Sequence, residues 1–315
     1  MKQNQQVTLA AAVAVTGIGV HSGESVKVVL HPAEANHGIV FLRTGLPGGI
    51  DRLVDARHFN VSATELCTVV GDRDSGAVAT IEHLMAALYG MGIDNVLVEI
   101  DGAEMPIVDG SAAPFIDAID SVGVVAMNAA RRFIRVKRTV RVTQGKAFAE
   151  LSPSDRGFRL DVEIDFPSDV IGRQRRVHEL SPTAFRRDIA RARTFGFMRD
   201  VERLWKAGFA LGASLENTVA IGDDAVINPE GLRYADEFVR HKLLDAVGDL
   251  ALAGAPLIAN YRSYCGGHRM NFSVLEALFS DRANYEIIEV GSRRENGHAD
   301  IATGIAVPAY GPDVH

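Results

Sequence analysis

Apolar and polar positions along the chain alternate first with the two-residue period of strands and then with the longer period of helices. Between residues 7 and 70, short alternating segments are separated by clusters of Gly, Pro and Asn, which is typical of strands. An apolar segment over residues 80–90 predicts a helix with Thr80 as its N-cap. A strand is predicted at Asn95–Ile100, followed by a second helix over Ala113–Val122.

The second half of the chain repeats this order. Strands are predicted at residues 133–142, 146–152 and 158–165, and helices at Glu237–Leu252 and Asn271–Phe279. Strands followed by helices, found twice, favour two similar α+β domains over a doubly wound α/β sheet.

The predicted domain boundary lies where Gly123 and an Ala-rich segment interrupt the pattern. We therefore expect a first α+β domain over residues 1–127 and a second over residues 128–285. Residues 286–315 are polar and rich in glycine, which predicts a flexible tail.

The N-terminal residues admit two interpretations, because Lys2 precedes an apolar run that superficially resembles a secretory signal. Apolar residues at every second position from Val7 to Val15 favour a first strand instead. No stretch reaches the roughly 18 uncharged apolar residues that a membrane-spanning helix needs. Cys67 and Cys265 lack the spacing of a metal or disulfide motif, which favours free thiols in a reducing compartment. We expect a cytoplasmic protein with at most peripheral membrane contact.

Charge is distributed unevenly along the 315 residues. The net charge is −7, yet residues 131–206 hold 19 basic and 10 acidic side chains, a balance of +9. This stretch is either a solvated basic surface or a field that attracts an anionic partner, such as a phosphorylated small molecule or an anionic membrane surface. Nucleic acid is not expected, because no aromatic residues interleave with the basic ones and the whole chain is acidic.

Three segments hold candidate metal or catalytic residues. His241 and Asp245 are four residues apart on a predicted helix and therefore share one face, which makes them a usable pair of ligands. Glu82 and His83 lie in the first turn of another predicted helix, and His268 follows two glycines. Two histidines and a carboxylate are a catalytic zinc composition, although each segment taken alone also fits a surface pair or a loop histidine.

Six phrases occur in a fixed order along the chain, and together they closely resemble the UDP-3-O-acyl-N-acetylglucosamine deacetylase family of lipid A biosynthesis. The resemblance covers roughly residues 5–280. The phrases are Gly19-Val20-His21-Ser22-Gly23, Thr80-Ile81-Glu82-His83-Leu84-Met85-Ala86-Ala87-Leu88, Gly92-Ile93-Asp94-Asn95, Pro106-Ile107-Val108-Asp109-Gly110-Ser111, Ala192-Arg193-Thr194-Phe195-Gly196 and Arg240-His241-Lys242-Leu243-Leu244-Asp245-Ala246-Val247-Gly248-Asp249.

The resemblance implies an enzyme with one zinc ion per chain. The positions that match the family's ligands are His83, His241 and Asp245. The implied fold is two similar α+β domains whose helical layers face each other, with the zinc between them. The implied reaction is hydrolysis of the N-acetyl amide of a UDP-linked acylated amino sugar, a small-molecule substrate. A zinc hydrolase of another amide or ester, and a binding module without activity, are the alternatives.

The resemblance also implies a role for each of four catalytic residues. Glu82 matches the family's general base, which takes a proton from water, and His268 matches its general acid. Asp249 matches the residue that orients that histidine. Thr194 matches the hydroxyl that helps to bind the oxyanion.

The remaining implied residues contact substrate. Phe195 matches a residue that packs on the sugar, Lys242 one that reaches the diphosphate, and Lys146 a further basic residue near the nucleotide. In the family, an insert in the second domain forms an apolar passage for the acyl chain, and residues 195–221 match it. Its apolar residues are the expected lining: Leu204, Trp205, Phe209, Leu211 and Val219.

Overall fold

The structure is a computed structural model that describes residues 4–72 and 75–290. The first half contains two α-helices, α1 (Glu82–Met91) and α2 (Ala113–Val122). Its strands are β1 (Gln5–Leu9), β2 (Val13–Ile18), β3 (Ser25–Pro32), β4 (Ile39–Arg43), β5 (Arg52–Asp55), β6 (Val61–Ala63), β7 (Val69–Val70) and β8 (Val96–Ile100).

The second half contains four α-helices: α3 (Pro182–Asp188), α4 (Met198–Lys206), α5 (Glu237–Leu250) and α6 (His268–Phe279). Its strands are β9 (Val124–Val136), β10 (Val140–Gln144), β11 (Ala147–Ser152), β12 (Phe158–Asp165), β13 (Arg173–Glu179), β14 (Phe195–Phe197), β15 (Val219–Ile221), β16 (Leu257–Tyr264) and β17 (Tyr285–Val290). None of the helices in the described part of the chain is both long and apolar enough to cross a membrane.

Two mixed sheets form the outer layers of the molecule. The first has the order β2-β3-β8-β4-β5, in which only the β4–β8 pair is parallel. The second has eight strands, with β9, β16, β11 and β10 along its path, β12 parallel to β16, and β17 on β9. A continuous apolar core joins both sheets to the helices between them.

The two halves meet through their helices, and α1 packs against α5 at the centre of the molecule. Helix α2 packs beside α1, and α6 packs beside α5. A β-carbon at Gly248 would overlap the carbonyl oxygen of Glu82, so the two central helices touch backbone to backbone at this point. The predicted α+β class, with two halves that face each other through helices, is confirmed.

Helix α1 is buried on nearly every side, as its almost uninterrupted apolar sequence requires. It ends at Gly92, whose left-handed conformation (φ 75°) lets its N–H bond to the last carbonyls of the helix. The prediction that Thr80 caps the helix is wrong. Helix α1 begins at Glu82, and Thr80 has φ 59° and donates its hydroxyl to Glu104 Oε1 at 3.0 Å instead.

The alternating N-terminal segment forms two strands rather than one. β1 pairs with β9 in the second sheet, whereas β2 pairs with β3 in the first sheet. Apolar residues alternate through both strands. The sequence therefore gives no local signal that the chain passes from one sheet to the other at the exposed residues 10–12.

The sheets do not divide at the predicted boundary after residue 127. That boundary falls within β9, and β1 joins the sheet of the second half. Strand β17 pairs with β9 from Tyr285 to Val290, so regular pairing continues past residue 286, where the predicted tail begins. The rest of the predicted tail, 291–315, lies outside the described residues.

The predicted insert, residues 195–221, is a compact β-α-β unit. Strands β14 and β15 pair in parallel, and α4 connects them together with a loop. Helix α4 has no fully buried residue, so it lies on the outside of the molecule. This arrangement places the insert directly before α5, the helix that carries two of the predicted ligands.

Candidate active site

Three predicted metal ligands converge in the helical interface. The Nε2 atoms of His83 and His241 lie 3.8 and 3.4 Å from Oδ1 of Asp245, and their rings meet edge to face with centroids 5.0 Å apart. One ligand atom from each residue lies within 4.8 Å of the others, and all three residues are buried. Because α1 supplies one ligand and α5 supplies two, packing of these helices creates the cluster.

Neighbouring groups orient the ligand atoms of α5. Nδ1 of His241 lies 3.1 Å from the carbonyl oxygen of Ala192, which leaves Nε2 facing the cluster. Lys242 donates to Oδ2 of Asp245 at 2.8 Å. Oδ1 of Asp245 is buried and has no hydrogen-bond partner among the residues that the structure describes, which is costly for a carboxylate unless a cation binds it.

The electrostatics of the three ligands suit a metal ion. Burial, and next the neighbouring His241, lower the pKa of His83 to about 3. Burial alone would raise the pKa of Asp245, but His241 and Lys242 outweigh it and hold that pKa far below its usual range. Two neutral imidazoles and one carboxylate are a donor set that zinc accepts with a further position left open.

Glu82 and His268 lie beside this cluster. His268 Nε2 is 3.9 Å from Oε1 of Glu82, and Glu82 Oε2 accepts the backbone N–H of Thr68 at 3.1 Å. Burial raises the pKa of Glu82 to about 7, although His268 opposes the shift. Burial lowers the pKa of His268, but the carboxylates of Asp249 and Glu82 outweigh it and raise the pKa to about 9. Near neutral pH, Glu82 can therefore accept a proton, while the neighbouring His268 carries one.

Asp249 orients His268 through a network that the sequence did not reveal. Its Oδ2 accepts from His268 Nδ1 at 2.9 Å and from Asn271 Nδ2 at 2.8 Å, and its Oδ1 accepts from the Thr68 hydroxyl at 2.6 Å. Thr68 bonds both Asp249 and Glu82, so it links the two sides of the site. Asn271 lies three residues after His268 on α6, and this spacing was the only signal for it.

Thr194 and Phe195 reach the site on the segment that enters the insert. The N–H of Thr194 donates to the carbonyl oxygen of Gly110 at 2.8 Å, so a turn of the first half holds this segment. A β-carbon at Gly110 would overlap the carbonyl oxygen of Asn217, which explains why this position needs glycine. The Phe195 ring lies edge-on to His241, with centroids 6.1 Å apart, and Lys242 Nζ is 5.6 Å from its centroid.

Arg193 is a positioning residue rather than part of a basic surface. Its side chain is 2% exposed and is bonded to Glu237 of α5, Glu230 and the carbonyl oxygen of Gly231. These bonds fix the residue before Thr194 to the first turn of α5. Five other arginines of the basic stretch, residues 131–206, form ion pairs: Arg173 with Glu163, Arg175 with Asp161, Arg176 with Asp236, Arg186 with Asp120 and Arg187 with Asp188.

A cavity of about 490 Å³ opens from the ligand cluster into the insert. Its polar wall holds the cluster and the neighbouring predicted residues: Glu82, His83, Thr194, His241, Lys242, Asp245 and His268. Its apolar wall is mostly insert: Phe195, Phe197, Met198, Val201, Leu204, Trp205, Leu215 and Ala220. Leu204 and Trp205, two residues of the expected lining, lie in this wall. A polar end joined to an apolar end suits a substrate with one group of each kind.

Three of the predicted substrate contacts lie outside the cavity lining. Phe209 packs edge-on against His21, with centroids 5.5 Å apart, and Leu211 bonds through its backbone N–H to the carbonyl oxygen of His21. These two residues attach the insert to the Gly19–Gly23 turn. Their role in the structure is therefore to hold the insert in place. Val219 is completely buried in the core.

Lys146 also lies outside the cavity lining, exposed in the turn between β10 and β11. Phe148, two residues later on β11, stacks on Tyr264, and Tyr264 lies just before the segment that leads to His268. His21, in contrast, was not selected from the sequence and does line the cavity. Burial lowers the pKa of His21, and its Nδ1 forms no hydrogen bond with residues 4–72 or 75–290.

Comparison with known proteins agrees with this geometry. The family model described as UDP-3-O-acyl N-acetylglycosamine deacetylase (LpxC) matches residues 6–280. Proteins named UDP-3-O-acyl-N-acetylglucosamine deacetylase from Brucella ovis, Brucella canis and Brucella melitensis are each 52% identical to this chain over 285 residues. Those alignments cover 90% of this chain and 98% of each relative. The chain therefore belongs to the UDP-3-O-acyl N-acetylglycosamine deacetylase family.

Proposed function

We propose that this protein is a zinc-dependent deacetylase that converts UDP-3-O-acyl-N-acetylglucosamine to the free amine and acetate, a step of lipid A biosynthesis. The named activity of its relatives supports the substrate. The observation that carries the chemistry is the buried His83, His241 and Asp245 cluster, in which Asp245 Oδ1 faces both imidazoles and forms no hydrogen bond within the described part of the chain.

His83, His241 and Asp245 would hold the zinc ion. When bound, zinc supplies Lewis-acid polarisation of the amide carbonyl and a lowered pKa for water at that site. Lys242, which is bonded to Oδ2 of Asp245, keeps the carboxylate ionised and turned so that Oδ1 faces the two histidines. The carbonyl oxygen of Ala192 keeps Nε2 of His241 directed towards the same point.

Glu82 is the proposed general base and His268 the proposed general acid. The oxygen of a water molecule adds to the acetyl carbonyl carbon while Glu82 takes one of its protons. The carbon–nitrogen bond then breaks, and the amine leaves with a proton from His268. Asp249, 2.9 Å from Nδ1, keeps His268 protonated and directs Nε2 towards Glu82 and the reacting atoms.

Thr194 is the proposed donor to the oxyanion, because it lines the cavity beside the ligand cluster. Phe195 would pack on the sugar, since its ring lines the cavity next to His241. Lys242 would reach the diphosphate with its ammonium group, because its side chain is 23% exposed. Lys146 would meet the nucleotide only as an outer contact, given its exposed position.

The acyl chain would occupy the apolar end of the cavity, formed by the insert. Leu204 and Trp205 of α4 line this end, and Met198 and Leu215 stand half exposed at its edge. We further propose that the protein acts in the cytoplasm, where the nucleotide end keeps the substrate dispersed. Membrane contact would then be peripheral, through the exposed apolar residues of the insert.

A single assay tests the proposal: release of acetate from the UDP-linked acylated sugar, with and without a chelator. We expect activity that the chelator removes and added zinc restores. A protein without bound metal and without acetate release would instead favour a binding module. Acetate or acyl release from unrelated amides or esters at equal rates would favour a hydrolase of other substrates.

A further inference from the structure

A second cavity of about 490 Å³ lies at the opposite end of α1 from the proposed active site. Met85, Leu88 and Tyr89 of α1 line it, and so does Gly254, just after α5. It shares no lining residue with the active-site cavity. With about 1.5 Å of rise per residue along α1, the two cavities are on the order of 10 Å apart. We refer to it as the back cavity.

Two arginines in the back cavity keep donor nitrogens that form no hydrogen bond within the described residues. The side chain of Arg57 forms no hydrogen bond or ion pair with any residue that the structure describes, and its Nε is buried. A β-carbon at Gly254 would overlap its guanidinium, so the group lies flat against the backbone there. Burial lowers the pKa of Arg57, and Asp55 and Tyr285 offset this only in part. An arginine stays charged in a protein, so this charge, which Asp55 and the Phe59 ring (centroid 5.7 Å from Cζ) offset in part, keeps its hydrogen-bond donors available to a ligand.

Arg131 is only partly paired. Its Nε donates to Oδ1 of Asp94 at 2.8 Å, but its two terminal nitrogens make no hydrogen bond within residues 4–72 and 75–290. Arg57 comes from the first half of the chain and Arg131 from β9, so each half contributes one guanidinium to the same cavity. Guanidinium groups bind carboxylate and phosphate oxygens through paired donors.

The rest of the back cavity combines apolar and polar groups. Ile39, Leu88, Ile93 and Pro256 form apolar walls, and Phe59, which is 64% exposed, stands at its mouth. The polar lining is Gln6, Asn36, His37, Asp55, Asp94, Asn95 and Arg132; of its two carboxylates, Asp94 is paired with Arg131. A concave site with apolar walls and fixed polar groups is typical of small-molecule binding. We propose that the back cavity binds a small organic oxyanion, a phosphate monoester or a carboxylate, whose charge pairs with Arg57 and Arg131 and whose apolar body packs inside Phe59.

The test is calorimetric titration of the full-length, metal-loaded protein with phenyl phosphate and with benzoate, and with phenol as the neutral comparison. We expect at least one anion to bind at least tenfold more tightly than phenol. The stronger of the two anions then identifies phosphate or carboxylate as the preferred group. Binding of neither anion, or binding of phenol at equal strength, would overturn the proposal.

Variants locate the site. Arg57→Gln should weaken binding of the anion at least tenfold, and Phe59→Ala should weaken it severalfold without disturbing folding, because Phe59 is exposed. Arg156→Gln removes the same charge from an exposed turn and should leave binding unchanged. Lys242→Ala, in the active-site cavity, should also leave it unchanged. Binding that is lost in Lys242→Ala but kept in both back-cavity variants would place the anion in the active site and refute the inference.

Discussion

The proton of His268 depends on Asp249, and the substitution Asp249→Asn measures this dependence. The carboxylate is 2.9 Å from Nδ1, and together with Glu82 it raises the pKa of His268 from an ordinary 6.5 to about 9 against the effect of burial. A difference of that size corresponds to about 3 kcal/mol in favour of the imidazolium. The introduced amide fits the same bonds, since it can donate to the Thr68 hydroxyl and accept from His268 and Asn271. The substitution therefore removes the charge and keeps the packing.

Loss of this charge should lower the pKa of His268, and the variant should therefore lose most activity at high pH. A general acid works while it is protonated, so activity falls as pH rises through its pKa. If the variant's pKa drops to about 7.5, the protonated fraction at pH 8.5 falls from about three-quarters to about one-tenth. The falling limb of kcat/KM against pH should thus move down by ~1–2 pH units, and the variant's loss at pH 8.5 should exceed its loss at pH 6.5 severalfold.

The assay is acetate release across pH 5.5–10, with an NMR titration of the His268 imidazole in the same variants. Asp155→Asn removes an equal charge from an exposed turn and serves as the matched control. If Asp249→Asn lowered activity equally at every pH and left the imidazole titration in place, Asp249 would have a structural role alone.

Four further outcomes are expected. His83→Ala should lower bound zinc and activity together, measured by metal analysis and acetate release; a fully metallated, active variant would contradict the ligand assignment. Glu82→Gln should keep zinc but reduce kcat by about 10²–10⁴-fold, and unchanged kcat would exclude it as the base. Leu204→Ala should reduce kcat/KM for the acylated substrate more than for an analogue without the acyl chain, because each buried methylene contributes about 0.8 kcal/mol. Leu211 lies outside the lining, so Leu211→Ala should affect the two substrates equally. Lys242→Ala should weaken binding of free UDP, most strongly at low salt, and salt-independent affinity equal to wild type would count against a diphosphate contact.

Much of the local structure is predictable from periodicity. Helix α2 has the predicted bounds, Ala113–Val122, because its apolar spacing and the following Gly123 are local signals. The pairing of His241 with Asp245 follows from helix geometry alone. The meeting of His83 with that pair does not, because it requires the packing of two helices whose histidines, His83 and His241, are 158 residues apart in the sequence; only the family resemblance indicated it.

Other features had no signal that sequence reasoning could use. Apolar residues of the insert look alike in the sequence, yet Leu204 lines the cavity while Phe209 packs on the Gly19–Gly23 turn. Thr68 is an ordinary threonine until the fold places it between Glu82 and Asp249. Arg193 belongs to a basic stretch, and only a buried partner, Glu237, shows that it is not a surface residue.

The contact of Gly248 with the Glu82 carbonyl fixes the spacing of the His83, His241 and Asp245 cluster. Helices usually keep their distance through side chains, which can change rotamer and repack when a neighbour is altered. Here the main chains themselves are in contact, one residue from His83 and three from Asp245. Backbone in a close-packed interior is nearly incompressible, so substitutions elsewhere in the helical interface can change stability while the spacing between the ligands stays constant. The distance between the residues that α1 and α5 contribute to the site is thus set by main-chain contact, and the surrounding side chains can vary without changing it.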